Sequence, residues 1–503
     1  MTPQQSKTAA RAARAARAAR ASILIALTIL AFAPALRGRF IWDDDDYVLN
    51  DPNLRSFSGL ADIWLHPTAS PQYYPMVFTT FWAEYHFWGT HAFGYHLDNV
   101  LLHTLAAVLL WRVLEGLEIP GAFLAACLFA IHPINVESVA WVTERKNVLS
   151  AVFYFGSALL FLKGKHLSSV LLFAAALLSK SVTCSLPAAL LLVLWWQRRP
   201  PGKREQLWLV AMFAMGLAMA AATAWLERSH VQAVGREWDL SLLDRVLIAG
   251  RAVWFYATKI ILPFNLSFIY PKWPIDPAAA WQWAFPLGVI AALLALWRMR
   301  DRWGRGPLVA ALFFVGTLVP ALGFFNIYPM RYTFVADHYA YHASVGLLVL
   351  IAAGLERRWR RGALLVLAPL FLLTLIRCVI FSDAEMLWRD TLDKNPNSWM
   401  VHLNLAKALD NNSKEEEAAK HFALAAALGD GVVDTHLSYA IYLSNQKRFD
   451  ESIAQYNRAI ELDPRLPQIY LHLGRTYRKM GRLEDARRQF EEALRLNPSL
   501  PPE

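Results

Sequence analysis

The sequence is short of charged residues for its length. Charged residues make up 18% of its 503 positions, against 56% hydrophobic residues, whereas a soluble globular chain carries about a quarter charged residues. This balance excludes an intrinsically disordered chain and argues against a soluble enzyme. We therefore predict a polytopic membrane protein.

Cysteine is also scarce, and the three residues stand far apart within apolar segments (Cys127, Cys184 and Cys378). Their spacing fits neither a zinc motif nor a disulfide framework, so we interpret them as core residues. A nucleotide-binding loop, a nucleophile elbow and a paired-histidine zinc motif are missing as well. We therefore expect no cofactor and no metal-ligand set, while a need for a divalent cation stays open.

The net charge of +10 comes from basic residues that flank the apolar runs. This is the pattern of cytoplasmic loops in membrane proteins, so we expect membrane lipids and no nucleic acid as partners. Residues 1–20 form a basic cytoplasmic segment whose arginines recur every three positions, which suits an anionic inner leaflet. Residues 21–382 are predicted to form a polytopic membrane helical bundle of about 11 spans.

The segment 242–263 decides the predicted topology. It is long enough to span, but it carries four charged residues. If it lies along the outer interface, the basic clusters at 298–305 and 357–361 both fall on the cytoplasmic side, as the positive-inside rule requires. We therefore predict eleven spans, a cytoplasmic N-terminus and a C-terminal region outside the cytoplasm.

The last part of the chain repeats every 34 residues. Small side chains recur at Ala406, Ala440 and Gly474, and bulky aromatic ones at Phe422, Tyr456 and Phe490. A period of 34 residues with these residue types is the tetratricopeptide signature. Residues 383–503 are therefore predicted to form an α-solenoid, which makes the whole chain all-α. Its parts are a half repeat and three full repeats (383–396, 398–431, 432–465 and 466–499).

Four adjacent aspartates, 43–46, follow the first apolar run. Their mutual repulsion raises the pKa of some of them. A carboxylate at a membrane surface can accept a proton from an acceptor hydroxyl, which makes Asp43 and Asp44 candidate bases. Composition alone supports a solvated acidic cap, which fixes topology or binds a cation, at least as well.

A second group of polar residues lies in the segment 132–147, with His132, Glu137 and Glu144 preceding Arg145 and Lys146. The two cations enter the next apolar run, where unpaired charge is costly. They therefore need a partner. One possible partner is a phosphate or pyrophosphate. The alternative, which explains the two cations equally well, is an internal salt bridge to Glu137, Glu144 or the aspartates.

Further polar residues are predicted at the same outer level. Lys180 stands between two apolar runs, and Arg331, Asp337 and His338 lie in the last outer loop. A lone lysine there can simply extend to the interface, and the histidine beside Asp337 is no zinc signature. An enzyme on this face has no ATP supply, so an activated donor would have to be carried by a lipid such as a polyprenyl phosphate.

These segments together resemble the transmembrane and tetratricopeptide-repeat O-mannosyltransferases, in a bacterial form, within the GT-C superfamily of lipid-linked-sugar glycosyltransferases. The resemblance rests on five segments, followed by the repeats: FIWDDDDYVLNDP (40–52), HPINVESVAWVTERKNVLSA (132–151), LLSKSVTCSLPAALLL (177–192), LLDRVLIAGRAVWFYATKIILPFNLSFIYP (242–271) and VPALGFFNIYPMRYTFVADHYAYHASVG (319–346).

The resemblance implies a GT-C-like bundle with its catalytic site on the non-cytoplasmic face of a bacterial inner membrane. In such enzymes an aspartate of the first outer loop activates the acceptor, which carries over to Asp43 or Asp44. The candidate donor-phosphate contacts are Arg145, Lys146, Lys180 and Arg331, and the supporting polar groups are His132, Glu137, Glu144, Asp337 and His338. Ser181 follows Lys180 where eukaryotic relatives have an acidic residue, so the donor or its sugar can differ.

The expected function is inverting transfer of a sugar, with mannose as the candidate, from a polyprenyl-phosphate donor to a hydroxyl of a protein or envelope glycan. The lipid-linked sugar would be a co-substrate, and the repeats would bind a protein or peptide acceptor or partner. The alternative is a non-enzymatic, membrane-anchored repeat scaffold for envelope or secretion assemblies. A transporter fits less well, because the charges gather at the outer edge and not at mid-membrane.

Overall fold

The computed structural model of the chain describes residues 3–231, 233, 235, 238–359, 362–498 and 500. Arg360 and Arg361 of the second basic cluster lie outside the described residues, as do the first two residues of the basic segment and the last three of the repeat region. The described residues form helices and loops without β-strands. They divide into two compact units, Met1–Asp383 and Ala384–Glu503. The all-helical fold class is confirmed.

The described part of the first unit folds into a bundle of helices of very different lengths. Its α-helices are α1 (Pro3–Ala31), α2 (Phe57–Leu65), α3 (Pro75–Trp88), α4 (Ala92–Gly116), α5 (Ala122–Ala130), α6 (Val136–Ala140), α7 (Arg145–Leu162), α8 (His166–Ser179), α9 (Leu186–Trp196), α10 (Lys203–Ser229), α11 (Leu242–Ile261), α12 (Ala284–Trp303), α13 (Gly306–Leu318), α14 (Ser344–Trp359) and α15 (Leu367–Ile380). Proline begins several of them, at Pro75, Pro187 and Pro307. A first-turn N–H has no partner within the helix, so proline costs nothing there.

Four of the described helical segments are long and apolar enough to cross a membrane, namely Ala92–Gly116, Lys203–Ser229, Ala280–Trp303 and Ala363–Ile380. The pair Ala122–Ala130 and Pro133–Ala140, bent by 49°, makes five if it counts as one broken span. The prediction of eleven spans is therefore wrong for the described helices.

The reason is that several apolar runs form short or interrupted helices. Helix α8 has 14 residues and is therefore about 21 Å long, whereas the hydrocarbon core is about 30 Å thick. Pro133 stands where α5 ends and the chain bends toward α6. Helix α11, which carries four charged residues, is also not among the spans.

The two ends of the bundle differ in chemistry. Helix α7 begins with Arg145 and Lys146 beside the polar residues of the second segment, and ends just before Lys163. Helix α14 begins shortly after His338 and carries Arg357 in its last turn. Polar residues with acidic groups thus collect at one end, and basic residues at the other.

The second unit consists of paired helices at the predicted spacing. They are α16 (Ala384–Lys394), α17 (Trp399–Asn411), α18 (Glu415–Leu428), α19 (Val433–Asn445), α20 (Phe449–Leu462), α21 (Pro467–Lys479) and α22 (Leu483–Leu496). A Cβ on Gly474 would lie 2.6 Å from the Phe490 ring. The close approach of α21 to α22 therefore requires glycine at this recurring small position.

Candidate functional site

Asp43 and Asp44 lie next to each other but in different surroundings. Asp44 is fully buried. Its Oδ2 accepts a hydrogen bond from the Ile41 N–H (2.9 Å), and its Oδ1 accepts two from Thr143, from the N–H (2.8 Å) and the hydroxyl (2.6 Å). Asp43 is half-buried, and no hydrogen bond reaches its carboxylate from the described residues. Asp44 therefore ties the acidic segment to the second segment, whereas the Asp43 carboxylate is available to a ligand.

Trp42 fixes the direction of the chain just before these aspartates. Its φ is +48°, a left-handed value that is uncommon for a bulky residue. The indole stacks on Trp141 with centroids 5.3 Å apart and an interplanar angle of 24°, and it meets the edge of Phe268. Packing against these two rings stabilises the unusual backbone conformation that presents Asp43.

Lys146 and Lys180 converge on Glu144. The Lys146 Nζ lies 3.0 Å from one carboxylate oxygen and the Lys180 Nζ lies 3.2 Å from the other. Asn147 bridges the group, since it accepts from the Lys180 Nζ (2.8 Å) and donates to Glu144 (2.6 Å). The lysine side chains are 11% and 12% exposed, against 1% for Glu144. Each ammonium therefore reaches the edge of the site while its counter-ion is buried.

The aromatic residues around Lys146 complete one wall of the site. Its Nζ lies 5.6 Å from the centre of the Tyr47 ring and 5.8 Å from that of Trp141. An ammonium over an aromatic face is held by the ring quadrupole. The Trp141 Nε1 is buried and has no hydrogen-bond partner among the described residues. Its N–H group can therefore donate to a ligand at this wall.

His338 joins the same site from the loop before α14. Its Nδ1 lies 2.6 Å from Glu137 Oε1, and its Nε2 lies 3.8 Å from Glu144 Oε1. Burial lowers the pKa of His338 to about 3, so the ring is neutral near pH 7. The structure thus brings together Glu137 and five further predicted site residues, and we call these five the polar cluster: Asp43, Glu144, Lys146, Lys180 and His338.

Two carboxyl groups of the polar cluster differ in electrostatics. Burial raises the pKa of Asp43 to about 7, and Lys146 offsets only part of that effect. Burial would also raise the pKa of Glu144, but the positive charge around it, including Lys146 and Lys180, holds that pKa well below its usual range. Glu144 is therefore a permanent counter-ion, whereas Asp43 exchanges a proton near neutral pH.

Arg145 lies in the protein interior, apart from the open side of the polar cluster. Its side chain is completely buried and forms a salt bridge with Glu84 on α3. It also donates to the Asn99 side chain and to the carbonyl of Tyr95 (2.9 Å). Arg145 therefore forms an internal salt bridge in this structure, which is one of the two alternatives. Its partner is Glu84, and not Glu137, Glu144 or the aspartates.

Replacing Arg145 by methionine should strongly destabilise the first unit. Glu84 would lose its counter-ion in a buried position, which costs about 3–5 kcal/mol. The measurement is thermal unfolding of the purified protein in detergent. The matched control is Arg112→Met, because the Arg112–Glu115 pair is partly exposed and such pairs contribute about 0–1 kcal/mol. Equal losses for the two variants would contradict this role of Arg145.

Three other predicted site residues lie outside the polar cluster. Both ring nitrogens of His132 are engaged, one near the Ile260 carbonyl (2.9 Å) and the other by the Ile134 N–H (3.2 Å). Asp337 pairs with Arg377 (2.8 Å) and accepts from the Tyr270 hydroxyl. The Arg331 guanidinium donates to the Tyr328 hydroxyl at 3.3 Å. These side chains bind neighbouring protein groups here, and their predicted roles remain predictions.

Several residues around the site are not predicted by the sequence pattern. Glu84 and Arg377 are lone charges in otherwise apolar helices, and such charges mark buried pairs or functional sites. Glu227 accepts from Gln72 (3.3 Å) and from the Tyr328 N–H (3.1 Å), close to the Tyr47 side of the polar cluster. Asn147 follows Lys146 directly, but nothing in its local sequence predicts that it bridges two segments.

No group of three or more His, Cys, Asp or Glu side chains in the described part of the chain is arranged to hold a metal ion. The prediction that the site has no metal ligands stays a prediction. What the polar cluster contains is one accessible carboxylate, two ammonium groups and a neutral imidazole. This combination can accept a proton and bind a phosphate.

Comparison with known proteins confirms the repeats and identifies the relatives. Family models described as "TPR repeat" (residues 445–481) and "Tetratricopeptide repeat" (residues 381–432 and 467–500) match the second unit. Over 80% of its length the chain is 24% identical to a protein O-mannosyl-transferase of Caenorhabditis elegans, F38B6.6. It is 26% identical over 79% of its length to protein O-mannosyl-transferase TMTC4 of Homo sapiens. The chain is a relative of the protein O-mannosyl-transferases.

The chain spans less than two thirds of the length of these relatives, 61% of the worm protein and 64% of the human one. Among solved structures, a crystal structure of MamA is 19% identical with a TM-score of 0.22, covering 29% of this chain and 85% of MamA. YrrB, described as a TPR protein with an unusual peptide-binding site, is 16% identical with a TM-score of 0.22, covering 31% of this chain and 77% of YrrB.

Proposed function

We propose that the chain is an integral membrane glycosyltransferase that moves a sugar from a polyprenyl-phosphate donor to a hydroxyl of a protein or envelope glycan. The observation that carries this proposal is that the Asp43 carboxylate lies within the electrostatic influence of Lys146, which shares the counter-ion Glu144 with Lys180 at one end of the bundle. The similarity to protein O-mannosyl-transferases supports mannose as the first sugar to test.

In the proposed reaction Asp43 is the base. Its carboxylate takes the proton of the acceptor hydroxyl while the acceptor oxygen attacks the anomeric carbon of the sugar. The bond from that carbon to the phosphate oxygen breaks, and the phosphate leaves with the electron pair. A single displacement of this kind inverts the anomeric configuration. Lys146 and Lys180 stabilise the charge that develops on the leaving phosphate.

Asp44 has a different role in this proposal. Its three hydrogen bonds to Ile41 and Thr143 engage both carboxylate oxygens. It therefore holds Asp43 at a fixed place relative to Glu144 and Lys146 but accepts no proton from substrate. Asp44 is a positioning residue, and of the two aspartates Asp43 is the proposed catalytic one.

The proposed orientation places the polar cluster outside the cytoplasm. The opposite end of the bundle carries Lys163 and Arg357, and basic helix ends face the cytoplasm in membrane proteins. A donor on the outer face needs a lipid carrier, which fits a polyprenyl phosphate. We propose that the tetratricopeptide repeats bind a protein or peptide, on the concave surface that such arrays form.

The test is transfer of labelled mannose or glucose from the corresponding polyprenyl phosphate by the purified full chain in proteoliposomes. We expect label to appear on a protein or glycan acceptor from the same membranes. Binding of envelope proteins to the repeats, with no transfer from either donor, would instead favour the membrane-anchored scaffold.

The rate of transfer should depend on pH through Asp43. The base acts in its ionised form, and burial raises its pKa to about 7. We therefore expect kcat/KM to be constant above that pH and to fall about tenfold per pH unit well below it. The measurement is the pH profile of label transfer from pH 5 to 9, with Asp45→Asn as the matched variant of an exposed neighbour. A flat profile over this range would count against Asp43 as the base.

A further inference from the structure

An apolar cavity of about 370 Å³ lies within the first unit, outside the polar cluster. It is lined by residues of α4, α7, α9, α13 and α14, including Leu110, Ala158, Leu190 and Phe313. Along α9 its lining runs from Leu186 to Trp196, the full 11 residues of that helix. This corresponds to about 15 Å, which is the hydrocarbon thickness of one leaflet.

One end of this cavity is basic and aromatic. Trp196, Trp303, Arg305 and Arg357 line it, and all four stand at the ends of helices or in the turn between α12 and α13. The other end is lined by Tyr154 and Leu186, which lie on the side of α7 and α9 nearer to the polar cluster. The cavity is therefore an apolar channel with its cations at the end opposite to the proposed transfer site.

Arg305 is held in place by its neighbours, yet several of its guanidinium N–H groups remain available to a ligand. Its Nη1 donates to the Trp195 carbonyl (2.7 Å), and its guanidinium lies over the Trp195 ring at 4.7 Å. An arginine has five N–H donors, and no other hydrogen bond of Arg305 occurs among the described residues. Arg357 is exposed at the same rim, with no ion pair in the described part of the chain.

A second, more polar cavity of about 850 Å³ adjoins the first at this end. The two share Leu117, Leu162 and Trp196 in their linings. The second cavity is also lined by Gln197 and by Arg199, which pairs with Glu205 at 2.9 Å. An apolar channel that opens into a polar space with cations at the junction has the chemical profile of a lipid with an anionic headgroup.

We propose that this pair of cavities binds an anionic phospholipid. One acyl chain occupies the apolar cavity, the phosphate contacts Arg305 and Arg357, and the rest of the headgroup lies in the polar cavity. Arginine binds phosphate through two parallel hydrogen bonds, and basic pockets between membrane helices on the cytoplasmic side bind anionic lipid headgroups. The site is independent of the proposed transfer reaction, because none of its residues belongs to the polar cluster.

The experiment compares phosphatidylglycerol with phosphatidylcholine of the same acyl chains, added to the delipidated full chain in detergent. Native mass spectrometry gives the affinity, and thermal unfolding gives the stabilisation. We expect phosphatidylglycerol to bind and to raise the Tm, and phosphatidylcholine to do neither. The double variant Arg305→Gln/Arg357→Gln should bind phosphatidylglycerol about thirtyfold more weakly.

Two further variants test the rim charge and the cavity separately. Arg302→Gln/Arg358→Gln removes the same charge from two exposed arginines that do not line the cavity, so it should bind like the wild type. Gly354 lines the cavity, and a Cβ added there meets no atom within 4 Å. Gly354→Leu should therefore fold normally and occupy part of the cavity, weakening lipid binding with both rim arginines in place.

Three results would overturn the proposal. The first is equal binding of the two phospholipids by the wild type, which would indicate unselective annular lipid. The second is unchanged phosphatidylglycerol binding by both the rim variant and Gly354→Leu. The third is displacement of phosphatidylglycerol from this site by a polyprenyl phosphate at equimolar concentration, which would assign the cavities to the donor.

Discussion

Asp43→Asn should lower the rate of sugar transfer by about 10²–10⁴-fold, the contribution of a general base. The amide has nearly the same shape as the carboxylate but cannot accept the acceptor proton. No hydrogen bond to the Asp43 carboxylate is lost among the described residues, so the fold should be retained. The loss should appear in kcat with little change in the KM for the donor, because Asp43 is proposed to act on the acceptor oxygen.

Asp45→Asn is the matched control for this prediction. Asp45 belongs to the same run of aspartates but its side chain is exposed. It should transfer sugar at the wild-type rate. Equal rates for Asp43→Asn and the wild type would remove Asp43 from the proposed mechanism, whereas equal losses for both aspartates would point to the charge of the whole acidic segment.

Lys146→Gln should lower kcat by about 10²–10³-fold, the usual cost of removing one group that stabilises developing negative charge. Its side chain is 11% exposed at the edge of the polar cluster, where the proposed leaving phosphate lies. Lys180→Gln should act in the same direction. Transfer rates and donor KM values for the two variants, measured on the purified full chain, check this prediction.

Glu144 keeps Lys180 as its counter-ion when Lys146 is replaced, so Lys146→Gln should keep its thermal stability while transfer falls. Thermal unfolding of Lys146→Gln therefore tests whether the fold is retained. Lys163→Gln, an exposed lysine beyond the other end of the same helix, should transfer normally. A loss of stability in Lys146→Gln as large as its loss of transfer would mean that Lys146 is structural.

The parts of the fold set by local periodicity could be predicted from the sequence. The small positions Ala440 and Gly474 and the aromatic position Phe490 recur at a fixed spacing because each tetratricopeptide repeat packs on its neighbour in the same way. The number of spans could not be predicted in this manner. An apolar run that contains a proline or stops after about four turns looks like a span in composition, but it forms a short or bent helix.

The candidate site was only partly predictable, for a related reason. Each polar residue of the cluster could be found locally, because charge beside an apolar run is conspicuous. Their partners depend on packing between distant segments, as in the bonds from Asp44 to Thr143 and from Arg145 to Glu84. From the sequence alone Asp43 and Asp44 are equivalent, whereas their different hydrogen bonding distinguishes the proposed base from the positioning residue.

The most direct measurement is label transfer from polyprenyl-phosphate mannose by the wild type and by Asp43→Asn/Asp44→Asn, reconstituted at equal folded concentration. The proposed mechanism predicts transfer by the wild type, with inversion at the anomeric carbon, and a loss of at least about 10²-fold in the double variant. Transfer at comparable rates by both proteins would contradict it.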